Sequence, residues 1–285
     1  MKTVLTIVIL TLSLNGFAKK HYDSYKIYNA KGKEVSFVKM IKAMQNKSYI
    51  FMGEYHNNAI SHWLQVEVMT ELYNIYKKKL VLGAEMFEAD NQYILDEYLK
   101  GQISAKNYQN EMRLWPNYNT DYKPLVEFAK EKELKFIASN IPRRYANMVY
   151  KKGLKSLNSL SDLAKSFIVP LNSFKFDSTI TCYKEIYNMQ HGGEGMATAQ
   201  AIKDATMAYF ILQNTKPNSV FLHFQGAYHS DNYEGIVYYL KQQINIEKIL
   251  TISTVTQNNI DTLLDENKNI ADFIICVKEN VTNTH

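Results

Sequence analysis

The sequence predicts an α/β protein, in which a parallel sheet flanked by helices carries a smaller helical subdomain formed by insertions. Three observations favour this class. Short apolar runs alternate with stretches of helical periodicity, the runs are apolar almost throughout, and several end at a glycine followed by polar residues. Strands that are apolar on both faces are typical of parallel sheets covered by helices on both sides.

Short apolar runs mark six strands. They are Tyr49 to Met52, Leu80 to Leu82, Leu134 to Ala138, Val220 to Phe224, Ile249 to Ile252 and Phe273 to Val277. Helical periodicity covers about residues 61–78 and 124–132. Residues 25–38 predict a small hairpin that turns between Asn29 and Gly32.

The domain organisation follows from where the strand signals stop. Residues 19–87, 123–142 and 201–285 form the predicted α/β core. Residues 88–122 and 143–200 contain helical patterns but few strand signals, and they are rich in Tyr, Lys and Asn. We therefore expect these two segments to form the helical insertion subdomain.

The first 18 residues predict a secretory signal peptide. Lys2 precedes an apolar run from Val4 to Leu14, and small residues precede a cut after Ala18. The run is shorter than the ~20 residues of a membrane-spanning helix, and a short buried helix is the alternative. No cysteine lies near the cut. We expect a chain secreted across the inner membrane, periplasmic or extracellular, not a lipoprotein, without a transmembrane anchor after cleavage.

The bulk composition is that of an ordinary globular protein. Of 285 residues, 46% are hydrophobic and 21% charged, and the formal net charge is +5. The basic residues form short runs such as Lys77 to Lys79, which argues against a nucleic-acid partner. Cys182 and Cys276 could pair in an oxidising compartment, but the apolar surroundings of Cys276 favour free thiols.

Polar residues follow four of the predicted strands in the same register, including Ser139 and Asn140 after the strand that ends at Ala138. A Gly-x-x-His motif runs from Gly53 to His56 and a second runs from Gly226 to His229, while Glu85 follows the strand between them. The carboxyl ends of parallel strands lie on one edge, where open α/β sheets bind ligands. We therefore expect His56, Glu85 and His229 to meet in space.

This set of residues allows two interpretations. In one, His56, His229, Glu54 and Glu85 bind a divalent metal ion. The protein would then be a metal-dependent hydrolase, perhaps a peptidase, with Glu85 or Glu54 in a catalytic role beside a metal-bound water. In the other, the histidines end the strands and hydrogen-bond the carboxylates without a metal.

Tyrosine is abundant in the two predicted insertions. The chain has 21 Tyr and only 2 Trp. Tyrosine is one of the axial ligands of haem iron, and an aromatic pocket with basic residues at its rim suits a flat macrocycle with two carboxylates. The alternative is that these tyrosines are ordinary amphipathic core and surface residues.

The strand-end motifs resemble those of the Tiki/ChaN/erythromycin-esterase-like superfamily, and within it the ChaN-like haem-binding uptake proteins. Segments around Trp115 and at residues 122–125, 138–144 and 196–208 are also similar to that group. The resemblance covers about residues 45–245.

This resemblance implies a haem-binding protein of bacterial haem and iron uptake rather than an enzyme, although an interaction module is a third possibility. It further implies a homodimer that holds haem at its interface through a tyrosine, with an outer-membrane haem receptor as a possible partner. Tyr183 and Tyr187 are the expected ligand candidates. His191, Arg143 and Arg144 are the expected contacts of the haem propionates.

Overall fold

The computed structural model describes residues 22–285, so the predicted signal peptide at residues 1–18 lies outside the described residues. Within the described range, seven strands form one sheet. They are β1 (Tyr25–Asn29), β2 (Tyr49–Glu54), β3 (Leu80–Glu88), β4 (Lys135–Asn140), β5 (Val220–Gly226), β6 (Ile249–Gln257) and β7 (Phe273–Lys278). The predicted parallel sheet flanked by helices is confirmed.

The strand order is β1-β7-β6-β2-β5-β3-β4. Every pairing is parallel except β1 with β7, which is antiparallel. The hairpin predicted at residues 25–38 is therefore only rudimentary. Its return limb makes a single bridge, Tyr28 with Glu34, because Ser36 caps a helix that begins at the next residue. The main partner of β1 is β7.

Ten α-helices accompany the strands within residues 22–285. They are α1 (Phe37–Met44), α2 (Ala59–Tyr76), α3 (Gln92–Leu99), α4 (Ala105–Glu111), α5 (Lys123–Glu131), α6 (Arg143–Lys152), α7 (Asp162–Lys165), α8 (Thr181–Asn188), α9 (Glu194–Asn214) and α10 (Ile236–Leu240). None of the helices in the described part of the chain has the length and apolar character needed to cross a membrane.

Two hydrophobic cores lie on opposite faces of the sheet. Alternate residues of the strands point to opposite sides, so Met52 joins the core under α1 to α5, whereas Phe51 joins the core under α6 and α8 to α10. The predicted insertion at 88–122 packs into the first core and that at 143–200 into the second. Their assignment to one separate subdomain stays a prediction.

Both cysteines are buried and free, as the sequence favoured. Cys182 lies in the second core. Cys276 lies on β7 in a third, small cluster with Ile260 and Leu263. The two thiols therefore pack in different apolar surroundings.

Candidate functional site

The site lies at the carboxyl ends of three neighbouring strands. Glu54 ends β2 and is directly opposite Gly226, which ends β5. On the other side of β5, β3 continues past the ladder and presents Glu85. The parallel topology thus places side chains from distant parts of the chain on one sheet edge.

His229 lies between two buried carboxylates. Its Nε2 is 3.1 Å from Glu85 Oε1, and its Nδ1 makes a short contact with Asp204. The second oxygen of Glu85 accepts a hydrogen bond of 2.8 Å from the Gly226 backbone N–H. Burial opposes charge on the imidazole, but the two carboxylates outweigh it and raise the pKa of His229 to about 10.

The pKa of Glu85 shifts in the opposite direction to that of His229. Burial alone would raise its pKa, yet the charge and hydrogen bond of His229 outweigh that effect and hold the pKa well below the usual range. At neutral pH the pair is therefore an imidazolium and a carboxylate. A buried charged pair of this kind is costly to break, because removal of one partner leaves the other without compensation.

Asp204 is a member of this cluster whose role the sequence analysis did not identify. It lies on α9, is buried, and accepts a hydrogen bond of 2.8 Å from the Tyr183 hydroxyl. The segment around Asp204 is one that resembles the ChaN-like group. A further signal was available, because an acidic residue among Ala201, Ala205 and Ala208 interrupts the buried face of the helix.

His56 forms the second half of the site. Its Nδ1 is 2.8 Å from Glu54 Oε1, and the same carboxylate oxygen accepts a hydrogen bond of 2.7 Å from the Tyr122 hydroxyl. The His56 ring packs edge-on against Trp115 and is 42% exposed. Burial lowers its pKa, but the carboxylates of Glu54 and Glu85 outweigh this effect, so the pKa is raised.

The structure brings His56, Glu85 and His229 together around Gly226. A Cβ atom at Gly226 would lie 2.9 Å from His56 Nε2 and 3.6 Å from Glu85 Oε2. The glycine therefore leaves room for the present position of the His56 ring, and its own backbone angle is ordinary, with a φ of −55°.

These side chains do not form a metal centre. Both nitrogens of His229 contact carboxylates, and Nδ1 of His56 contacts Glu54. Across residues 22–285, no three His, Cys, Asp or Glu side chains are arranged to hold a metal ion. The expected metal set of His56, His229, Glu54 and Glu85 is thus unsupported, and the geometry matches the interpretation in which the histidines bond carboxylates.

A cavity of about 1300 Å³ opens above the strand ends. Its floor is formed by the His56 and His229 clusters. Its walls combine aromatic, apolar and basic side chains, among them Tyr55, Trp115, Arg143, Tyr150, His191, Met196, Lys203 and Tyr228. The predicted residues Arg143 and His191 therefore line the same cavity as the strand-end cluster.

Three expected haem contacts lie elsewhere. Tyr183 is fully buried, donates its hydroxyl hydrogen bond to Asp204 and lies outside the cavity wall. Tyr187 on α8 is half-exposed but lies outside the cavity wall. Arg144 also lies outside the wall, and its guanidinium contacts Asp90 at 2.6 Å.

The fold and the site define an α/β protein with a ligand cavity at the carboxyl ends of its parallel strands. A family profile described as "Haem-binding uptake, Tiki superfamily, ChaN" matches residues 40–240. The chain therefore belongs to the ChaN family of haem-binding uptake proteins within the Tiki superfamily.

Solved structures share this fold. The chain is similar to ChaN of Campylobacter jejuni, described as binding haem cofacially, with a TM-score of 0.67 and 19% identity over 89% of this chain and 97% of that one. It is also similar to an erythromycin esterase mutant in its open conformation, with a TM-score of 0.51 and 9% identity over 91% of this chain and 100% of that one.

A curated relative matches over a shorter part of the chain. The chloroplastic protein RETICULATA-RELATED 5 of Arabidopsis thaliana is 23% identical over 145 residues, which is 48% of this chain and 20% of that protein. The chain thus spans about a fifth of the length of this relative.

Proposed function

We propose that the protein is an exported haem-binding protein of bacterial haem uptake and that haem binds in the strand-end cavity. The observation that carries the proposal is the cavity itself, about 1300 Å³ with aromatic, apolar and basic walls. This exceeds the ~300–1,000 Å³ of ordinary small-molecule pockets. A large flat ligand with an apolar body and anionic groups fits such a space.

The iron ligand in this proposal is a tyrosine of the cavity wall. The Tyr228 hydroxyl is engaged with the Cys182 carbonyl. Tyr55 and Tyr150 line the cavity and are about half-exposed. Either could present its hydroxyl to iron, and such ligation sets the electronic state of a bound haem. Tyr187 is retained as a third candidate because it is exposed on the neighbouring helix α8.

Haem would be shared between two copies of the chain. Two exposed side chains of the cavity wall are large and apolar, Tyr150 on α6 and Met196 at the start of α9. Tyr187 on α8 and Met189 just after it are also exposed. A cluster of exposed apolar groups beside a ligand cavity favours burial against a partner surface. Cofacial haem binding in the similar Campylobacter jejuni protein supports the same arrangement.

Absorption spectroscopy tests the proposal. Haemin added to the purified protein is expected to give a shifted Soret band. Of the variants Tyr55→Phe, Tyr150→Phe and Tyr187→Phe, the one that removes the iron ligand should change this band. Tyr93→Phe is a matched control, since Tyr93 is also exposed but lies on α3 outside the cavity. No Soret shift at micromolar haemin would remove the proposal, and sizing of the haem-loaded protein tests the dimer.

Export and the partner require separate tests. N-terminal sequencing of protein recovered from the cell envelope is expected to begin after Ala18. Recovery of only the uncut chain from the cytoplasm would contradict export. Capture of an outer-membrane haem receptor by the haem-loaded protein would support the proposed partner.

A second candidate function is hydrolysis, which the His56 geometry favours. His56 reaches the cavity, is oriented by Glu54 and can exchange a proton with a bound substrate. A metal-dependent version would need His56 and His229 to leave their carboxylate partners. Turnover of ester or peptide substrates, with and without added divalent metal, tests this function. Turnover unchanged in His56→Asn would contradict it.

A further inference from the structure

The two ends of the cavity differ in chemistry. Its basic wall residues belong to α6, to α9 and to the segment between α8 and α9, and α9 packs against β4. The opposite end rests on β6, which lies on the other side of the site in the strand order. We call it the β6 end. Its wall residues, none of them basic, are Asp231, Thr254, Val255, Asn267 and Ile270.

An unusual turn places Asp231 at the β6 end. The φ angles of Asn232, Tyr233 and Gly235 are 58°, 57° and 56°, in the left-handed region that bulky side chains rarely adopt. The Asn232 backbone N–H donates a hydrogen bond of 2.7 Å to the Ile270 carbonyl oxygen, which ties the turn to the rest of this wall. Strained backbone persists only where the surroundings hold it, and it is common at ligand sites.

The carboxylate of Asp231 has no cationic partner. Its Oδ1 is buried and makes no hydrogen bond with any group of the described chain. The Ser253 hydroxyl faces the carboxylate, but Ser253 Oγ does not complete a hydrogen bond either. Burial raises the pKa of Asp231 to about 7, because no nearby positive charge offsets the loss of hydration. A positively charged donor would compensate this carboxylate.

Asn267 adds a second acceptor to the β6 end. Gln257 Nε2 donates to the carbonyl oxygens of Asn259 and Thr262 at 2.9 and 3.0 Å, which fixes the orientation of the Gln257 amide. Gln257 Oε1 in turn accepts a hydrogen bond of 3.0 Å from Asn267 Nδ2, so Asn267 Oδ1 is left for a ligand. The Thr254 hydroxyl donates its proton to a backbone carbonyl at 2.8 Å. The polar side chains of this end therefore offer acceptors to a ligand.

We propose that the β6 end binds the ammonium group of a small organic amine, with Asp231 and Asn267 as its acceptors. An ammonium group carries a positive charge and three donors, which match a carboxylate and an amide oxygen. The apolar side chains of Val255 and Ile270 suit an aliphatic body attached to that group. An iron porphyrin with ionised carboxylates offers neither a cationic donor nor an aliphatic chain, so the inference goes beyond the proposed haem function and does not require it.

Calorimetric titration of the whole protein with three six-carbon compounds tests this inference. At pH 8, hexylamine is a cation, 1-hexanol is neutral and hexanoate is an anion, while the aliphatic body stays similar. We expect hexylammonium to bind at least about tenfold more tightly than 1-hexanol, the effect of one charge-assisted hydrogen-bonded pair. Equal affinities for hexylammonium and 1-hexanol, or tighter binding of hexanoate, would overturn the inference.

Variants of the two acceptors identify the site. Asp231→Asn keeps the shape of the side chain but removes its charge, so the affinity for hexylammonium should fall about tenfold while that for 1-hexanol stays the same. Glu266→Gln is the matched control, because Glu266 is an exposed carboxylate next to Asn267 that lies outside the cavity wall. It should keep the full affinity. A preference for hexylammonium that survives in Asp231→Asn would contradict the assignment.

A second variant and a second ligand make the result decisive. Asn267→Ala should weaken hexylammonium binding about threefold, the effect of one ordinary hydrogen bond, and it decides the question if Asp231→Asn does not fold. Haemin titration of the unmodified protein separates the two proposals. A protein that binds haemin without any preference for the amine would overturn this inference alone, and the reverse result would overturn only the haem function.

Discussion

The most constrained side chain of the site is His229, which contacts a carboxylate on each side of its ring. Its two nitrogens face Asp204 and Glu85, and the ring is buried. The environment therefore stabilises the charged imidazolium and fixes the ring orientation. A side chain that looks like a metal ligand in the sequence thus bridges Asp204 of α9 and Glu85 of β3.

The charge of His229 predicts a pH dependence of stability. Its pKa in the folded protein, about 10, lies above its ordinary value of 6.5. The stabilisation is therefore complete below pH 6.5 and is lost as the pH rises towards 10. Over this interval the unfolded chain has released the proton that the folded state still holds, so each rise in pH favours unfolding. Denaturant titrations should show a free energy of unfolding that falls between about pH 7 and pH 10.

The variant His229→Gln isolates this contribution. We expect it to lower the free energy of unfolding at pH 7 by about 3 kcal/mol, since two buried carboxylates lose their partner. Its stability should also vary less between pH 7 and pH 10 than that of the unmodified protein. His191→Gln, at an exposed histidine, is the control. Parallel pH profiles for the unmodified protein and His229→Gln would contradict the prediction.

At the scale of single elements, glycines at the ends of two neighbouring strands serve different purposes. A Cβ at Gly53 would lie 2.7 Å from the Ala227 backbone and 2.9 Å from the Ile252 carbonyl oxygen. A Cβ at Gly226 would instead meet the ring of His56. Backbone in a packed sheet cannot shift easily, whereas a half-exposed ring can rotate away.

The same substitution at the two glycines should therefore have different effects. Gly53→Ala is expected to reduce the free energy of unfolding by roughly 2 kcal/mol, as overpacking does. Gly226→Ala should stay close to the original stability but displace the His56 imidazole, which NMR chemical shifts of that ring would report. Equal destabilisation by the two substitutions, with no change at His56, would contradict this.

Much of the element pattern could be predicted from the sequence, for a physical reason. Strands that are buried on both faces give continuous apolar runs, which identify them in the sequence. Parallel pairing brings the carboxyl ends of these strands to one edge of the sheet. The proximity of His56 and Glu85 could therefore be predicted from the topology alone. The hairpin at residues 25–38 was not fully formed because a Ser36 cap favours the helix locally. The contact of Asp204 with His229 depends on how α9 lies over the sheet, which no local pattern specifies.

For the whole molecule, ligand binding should appear as added stability. Haem that binds only the folded state would stabilise it by about 2.7 kcal/mol at a free concentration of 100 times the dissociation constant. For a chain of this size we expect the melting temperature to rise by roughly 5–10 °C. Metal-free protoporphyrin is the control, because it offers no iron to a tyrosine. A melting temperature that does not respond to haemin would contradict haem binding.

The order of strands also bears on how a ligand could enter and leave. The site rests on β2, β5 and β3, which β6 and β4 shield from the ends of the sheet. Fraying begins at the periphery of a structure and reaches its interior strands last. The floor of the cavity should therefore persist for as long as the protein stays folded, and amide protons there should exchange only through global opening. Any rearrangement that accompanies the passage of a ligand should therefore lie in the cavity wall, where α6 and α9 pack against each other.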